Sequence, residues 1–311
     1  MKLMVQPDAG LAPIITAIKL AKKTIDIMIF RLDRPEITRA LEAAVARGVA
    51  VRALIAHTNS GGEKTLRKLE LRLLEQGVSV SRTADDLVRY HAKMIIVDSR
   101  ILHVYGFNFT WLDIERSRSF GITTKNPKLV QEAIRLFEAD SARQPYVPSS
   151  DRLIVSPETA RERLADFIKG ARRQLLIYDP NVSDPAMIRI LAERVAKGVE
   201  VRIIGKLAAK KAALTAATYP GKRLHVRAIV RDGRHAFVGS QSLRKSELER
   251  RREVGIIVDE LAIVKQLQST FEQDWALTET GRKAARKAEK AEKAEKKDGK
   301  EPGRAVAAND D

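Results

Sequence analysis

The chain has 311 residues, 44% of them apolar and none of them cysteine, and its formal net charge is +17. This length and composition suit two globular domains in a reducing cytoplasm, and they exclude a disulfide scaffold, thiolate zinc sites and a low-complexity chain. From Gly281 onward ten Lys/Arg stand against seven acids, so most of the charge belongs to the body and implies a polyanionic partner: nucleic acid, an anionic bilayer or acidic headgroups.

Pro7, Asp8 and Pro13 break the N-terminal apolar runs too early for a secretory signal core, and no later stretch is apolar enough for a transmembrane helix. The chain is therefore expected in the cytoplasm, with peripheral attachment to the inner face of the membrane as the alternative. IITAIKLAKK reads as a helix and TIDIMIF as the strand after it. In ALEAAVARGVAVRALI, residues 40–55, Gly48 closes a second helix and a β-branched strand follows. The insertion HTNSGGEKTLRKLELRLLEQGVSV then leads to the strand HAKMIIVD. Asp98-Ser99 turns that strand back, and Trp111, beyond the return strand, is read as a packing residue, with lining of the cleft mouth as the alternative. Two prolines and two serines in QPYVPSSD, residues 144–151, separate the halves.

The same rhythm then repeats. RLADFIKGARR and QLLIYDP give helix and strand. ILAERVAKGVEVRIIG, residues 190–205, matches residues 40–55 and places Gly198 where Gly48 stands. A basic stretch, residues 208–223, runs into the strand HVRAIVRD and is read as a solvated helix and loop, with a lip that rests on anionic headgroups or strands as the alternative. Asp232-Gly233 signals a two-residue hairpin into HAFVGS. The expected domains are 1–146, 147–280 and a basic helical or disordered tail, 281–311. Helix, glycine and strand in alternation define an α/β layer structure.

Two blocks align without a gap: His91, Lys93 and Asp98 fall on His225, Arg227 and Asp232. The same offset superposes Ile95 on Ile229, Arg118 on Arg252 and Gly121 on Gly255. In an extended chain residues i and i+2 share a face, so each histidine projects beside its cation. Asp98 and Asp232 are out of phase with that face and are expected to brace the strand ends. His57, His103 and His235 have no counterparts at superposed positions and are read as surface or satisfied-core histidines.

At these residues the chain resembles the phospholipase D superfamily, whose members share a duplicated HxKxxxxD element. The resemblance covers about residues 5 to 280 and implies two pseudo-symmetric α/β sandwich lobes with one active site at their interface. It also implies cleavage or exchange of a phosphodiester. Two cations would neutralise charge on the nonbridging oxygens. One neutral imidazole would attack phosphorus to form a phospho-histidine, and the other, protonated, would donate to the leaving alkoxide. No step calls for a metal or other cofactor, and no carboxylate cluster in the sequence would hold one.

The family pattern continues with a Gly-Ser pair and then an acid. The second copy keeps both, as Gly239-Ser240 and Glu253. The first copy has Gly106 where the serine belongs and Ser119 where the acid belongs, while the second has Arg227 in place of lysine. The resemblance implies that the acid of one lobe orients the histidine of the other. Glu253 is then expected to hold His91, and His225 to face Ser119 without a carboxylate. His91 is expected as the nucleophile, His225 as the general acid/base, Lys93 and Arg227 as phosphate clamps, and Asn108 and Ser240 as donors to substrate.

Lipid and nucleic acid both contain phosphodiesters. Aromatics make up only 5% of the chain and do not interleave the basic runs, which counts against a base-stacking channel. The preferred expectation is hydrolysis or transfer of phosphatidyl groups by a two-lobed monomer acting on phospholipid headgroups or an anionic membrane surface. A nuclease working by the same mechanism is the alternative. A third reading follows from Arg227, Gly106 and Ser119: an inactive module that binds membrane or nucleic acid.

Overall fold

The computed structural model describes residues 1–58, 63–208 and 214–298. Part of the basic stretch, 209–213, and the end of the tail, 299–311, lie outside the described residues. The fold is α/β and two-lobed, built on two eight-stranded mixed sheets.

Across the first sheet the strands run Lys2–Gln6, Ser117–Thr124, Ile101–Tyr105, Met94–Val97, Thr24–Ile29, Ala50–Ile55 and Ser79–Arg82. The second runs Leu153–Ser156, Arg251–Val258, His235–Gly239, Arg227–Arg231, Gln174–Val182, Glu200–Leu207 and Thr215–Ala217. The pairing repeats strand for strand. Thr24–Ile29 is parallel to Ala50–Ile55 and antiparallel to the motif strand Met94–Val97. Gln174–Val182 stands in the same way to Glu200–Leu207 and Arg227–Arg231.

Alternation explains how the layers stack. Met94 and Ile96 point into a core between the sheets, and Ile95 points into the core beneath the outer helices. Ala228 and Val230 share the central core, and Ile229 faces the outer core of the second half. Side chains at i and i+2 share a face of a strand, so both sheets are buried on both sides. Helices Pro127–Ala142 and Leu261–Ala276 bring Phe137 and Phe271 into the central core, which also holds residues of both sheets, such as Phe120 and Tyr178. The halves are therefore welded by one hydrophobic core.

Each sheet is completed by a two-residue strand from the other half. Arg89–Tyr90 pairs with Arg251–Val258, and Arg223–Leu224 pairs with Ser117–Thr124. Two buried ion pairs cross in the same sense. Arg118 reaches Asp274 at 2.9 Å, and Arg252 reaches Asp140 at 3.0 Å.

The hairpin turns are longer than the expected two residues. The ladder closes at Arg231 and His235, leaving Asp232, Gly233 and Arg234 in the loop, with Asp232 and Gly233 both at positive φ. Between Leu153–Ser156 and the preceding helix lies the expected Pro/Ser-rich connection. It is pinned by the buried Glu132, which accepts from Ser149 N at 2.8 Å and from the Tyr146 hydroxyl. The tail is helical over Glu279–Asp298 and carries a Glu289–Lys293 pair.

Candidate active site

The strand exchange decides where the motif histidines sit. His91 follows the swapped strand Arg89–Tyr90, and its N–H donates to Arg252 O at 2.7 Å. His225 follows Arg223–Leu224, and its N–H donates to Arg118 O at 3.2 Å. Each histidine is thus clipped to the other half's last strand, one residue from position 253 or 119. His91, Lys93, His225 and Arg227 are all buried, each with less than a tenth of its surface exposed.

Around His91 the geometry is tight. Its Nδ1 lies 2.8 Å from Glu253 Oε2. Lys93 Nζ lies 2.7 and 2.8 Å from the two ring nitrogens and 5.4 Å from the centre of the Phe30 ring. Phe30 meets the imidazole edge-on at 4.5 Å. Burial holds His91 well below the usual histidine range, and the charges of Lys93, Arg227 and His225 push it the same way. Burial also lowers Lys93 to about 7, against the pull of Glu253, and raises Glu253 to about 6, against the pull of Lys93. These mutual effects bring both histidines and both cations into one electrostatic environment.

The expectation for His225 needs correction. Its Nδ1 lies 3.2 Å from Asp113 Oδ2, an ion-pair contact without hydrogen-bond geometry. Asp113 belongs to the short helix Trp111–Glu115, whose entry Thr110 caps by accepting from Asp113 N. The carboxylate also accepts from Asn108 N at 2.9 Å, from Asn108 Nδ2 at 2.7 Å, and from Arg223 Nη1. Burial pushes Asp113 up, but its contacts with His225, Asn108 and Arg223 outweigh that and hold it far below the carboxylate range. Burial lowers His225 to about 4, and Asp113 is the main influence in the opposite direction.

Asp113 had a signal in the sequence. The offset that aligns the histidines places it on Glu247, and Asn108 on Ser242. The structure keeps that correspondence: Ser242 N donates to Glu247 Oε2 at 2.7 Å, as Asn108 N does to Asp113. Glu247, however, lies among Arg227, Arg244 and Arg251. Position 247 thus serves cations, whereas position 113 serves a histidine as well as Arg223.

Arg227 is anchored through Nε, which donates to Ser242 Oγ at 3.1 Å, with Glu247 at 3.9 Å. Its Nη1 is buried without a hydrogen-bond partner, as is Asn108 Oδ1. A buried guanidinium N–H without a protein partner, in the same electrostatic environment as two histidines and a lysine, can donate to an anionic oxygen. Ser240 Oγ bonds to Val254 N and O, and the Asn108 amide is tied to Asp113, so both expected substrate donors are engaged within the protein.

The first copy's departures have a steric side. A Cβ at Gly106 would lie 2.9 Å from Gly239 O and 3.2 Å from Phe120 O, so the serine of the family pattern has no room there. Ser119 Oγ is buried without a partner. Asp98 accepts from the N–H groups of Lys22, Lys23 and Thr24, and Asp232 from those of Arg172, Arg173 and Gln174. Both join the turn after a motif strand to the start of the neighbouring strand. His103 bonds Thr123, and His235 pairs with Asp259.

The family described as "Cardiolipin synthase, PLD-like domain" matches residues 14–141 and 164–275, and the chain belongs to this phospholipase D-like family. Among curated relatives, mitochondrial cardiolipin hydrolase from Homo sapiens is 26% identical over 132 residues, covering 42% of this chain and 50% of that protein. The Danio rerio protein of the same name is 30% identical over 127 residues, covering 38% and 53%. The chain thus spans about half the length of these relatives. Two solved structures share its fold. Polyphosphate kinase from Porphyromonas gingivalis has a TM-score of 0.73 at 18% identity, covering 87% of this chain and 46% of that one. Phosphatidylserine synthase from Haemophilus influenzae Rd KW20 has a TM-score of 0.64 at 12% identity, covering 87% and 85%. Among the described residues no helix is long and apolar enough to cross a membrane.

Proposed function

We propose that the protein is a phosphodiesterase that hydrolyses or transfers phosphatidyl groups through a phospho-histidine. The observation that carries this reading is the meeting of two buried histidines, each within reach of a carboxylate, with two cations at the crossing of the halves.

His91 is the nucleophile. With its Nδ1–H donating to Glu253, the lone pair is on Nε2, where Lys93 now rests. An entering phosphate draws the ammonium onto a nonbridging oxygen and frees Nε2 to attack phosphorus. Arg227 supplies Nη1 to a second oxygen. As the N–P bond forms, the ester P–O bond breaks and His225 passes its proton to the leaving alkoxide. Water or an alcohol then loses a proton to His225 and attacks phosphorus, and the N–P bond breaks. Burial keeps His225 neutral in the free protein, and Arg227 and Arg223 push the same way; an anionic substrate offsets those charges and Asp113 stabilises the imidazolium.

The names of the cardiolipin hydrolase relatives support a lipid diester. The net charge of +17 also suits nucleic acid, which keeps a nuclease as the second reading. The open Arg227 Nη1 favours a working site over a decayed one. The test is to incubate purified protein, with EDTA present, either with phosphatidylcholine/phosphatidylglycerol vesicles or with plasmid DNA. Phosphatidic acid or a transphosphatidylation product supports the proposal. Nicked DNA with intact lipid selects the nuclease, and no product from either selects the inactive module.

A further inference from the structure

Where a large side chain stands exposed beside a buried site, its counterpart in the other half tells whether the fold requires it. The offset that aligns the histidines places Trp111 on Lys245 and Leu112 on Ser246. Trp111 is 51% exposed and Leu112 45% exposed, on the same short helix whose Asp113 faces His225. This exposure favours the alternative reading of Trp111, at the cleft mouth, over the preferred packing role. The second half builds the same helix, Lys245–Glu249, with an exposed cation and a serine at these positions. Nothing in the architecture demands an exposed indole and isobutyl group there.

Cations flank this helix beside two carboxylates: Asp33 accepts from Trp111 N at 2.7 Å, and Glu115 pairs with Arg34. Arg116 sets its guanidinium 5.3 Å from the centre of the Trp111 ring. Arg223 N donates to Arg116 O, which brings the exposed Lys222–Arg223 segment against the same helix. On the opposite lip Val88, 50% exposed, occupies the counterpart of Lys222, and its N–H donates to the carbonyl of the exposed Arg250. Val88 thus adjoins the swapped strand that leads into His91, and Trp111 and Leu112 stand on the helix bonded to the segment that leads into His225.

We infer that this rim docks on an anionic phospholipid bilayer, with Trp111 and Leu112 entering the headgroup region and the surrounding Arg and Lys holding lipid phosphates. The inference rests on the phosphatidyl reading above and names the surface from which that substrate is drawn. An indole suits the membrane–water boundary because it is both apolar and polar, and anionic leaflets attract basic residues near the surface. A nucleic-acid strand fits less well. Single strands need a series of aromatic platforms, and Trp111 is the only aromatic among the exposed large hydrophobic side chains of the described residues.

Trp111→Lys separates these partners, because the counterpart helix already carries a lysine at that position and the change adds a positive charge. Vesicle co-sedimentation would compare phosphatidylcholine alone, phosphatidylcholine/phosphatidylglycerol and plasmid DNA at fixed salt. The wild type is expected to bind the anionic vesicles with a blue shift of tryptophan emission; Trp275 is buried and reports little of it. Trp111→Lys should bind those vesicles about fivefold or more weakly, since insertion is lost, and should bind DNA at least as tightly. Equal or tighter vesicle binding by the variant, or no emission shift, would overturn the inference. An equal loss on DNA and on vesicles would overturn it too, because it marks a stacking surface. Turnover of the soluble diester bis(4-nitrophenyl) phosphate by the wild type tests the chemistry separately. Protein that passes the vesicle test but leaves this diester intact keeps the rim and loses the phosphodiesterase.

Discussion

Asp113 Oδ2 and His225 Nδ1 lie 3.2 Å apart across the junction of the two halves, so the histidine opposite Ser119 has a carboxylate after all. The acid missing at position 119 is replaced from the start of the helix Trp111–Glu115, where Asn108 and Arg223 hold it in place. Both histidines are thereby oriented, by acids from non-equivalent positions.

Asp113→Asn should lower kcat on a soluble diester by about 10- to 100-fold, a typical cost of disturbing a general acid. Asp113 is what supports protonation of His225 against burial. Without it His225 loses its proton at lower pH, so the alkaline limb of the kcat profile should move toward acid. A purely structural role would reduce the active fraction without moving the limb.

Arg227→Lys restores the family motif yet should reduce kcat/KM by about tenfold or more, because lysine cannot both hold Ser242 and offer a second N–H to phosphate. Steady-state kinetics decide the matter. A faster Arg227→Lys enzyme would mark the arginine as decay.

Gly106→Ser restores the other half of the motif and should destabilise the protein by about 1–3 kcal/mol, since the new Cβ meets backbone oxygens at 2.9 and 3.2 Å. Denaturant titration against the wild type measures the loss.

Lys93→Met should abolish turnover and raise stability. Burial lowers the folded-state pKa of Lys93 to about 7, from 10.5 for a free lysine side chain. Between those values the unfolded chain binds the extra proton, so stability rises with pH across that window and the burial penalty is fully present below about pH 7. Removing the amine should gain about 2–4 kcal/mol near neutrality, a gain that fades toward pH 10. Thermal melts at pH 7 and pH 10 give the comparison.

Much of this was legible in the sequence because the repeat is gapless. The motif strands follow from one offset and a period of two, and the resemblance to the phospholipase D superfamily, read at those residues, implied the two-lobed fold and the pairing of Glu253 with His91. Other features were hidden for physical reasons. Arg89–Tyr90 and Arg223–Leu224 are strands of two residues, too short for any periodicity, yet they decide which half clips each histidine. Asp113 matched Glu247 in the alignment, but a matching acid does not reveal whether a histidine will join the arginines around it. Trp111 looked like core because large aromatics usually are, and only the counterpart helix shows that the fold does not need it there.

The central claim is that His91 is the nucleophile in a site shared by both halves, and phospho-histidine trapping tests it most directly. The protein would be mixed with a phosphorus-labelled nitrophenyl diester, quenched in alkali, where phosphohistidine survives, and mapped by mass spectrometry. The account predicts label on His91, accumulating further in His225→Ala because no base remains to activate water. Label on His225 in the wild type, or steady turnover with no adduct on either histidine, would contradict it.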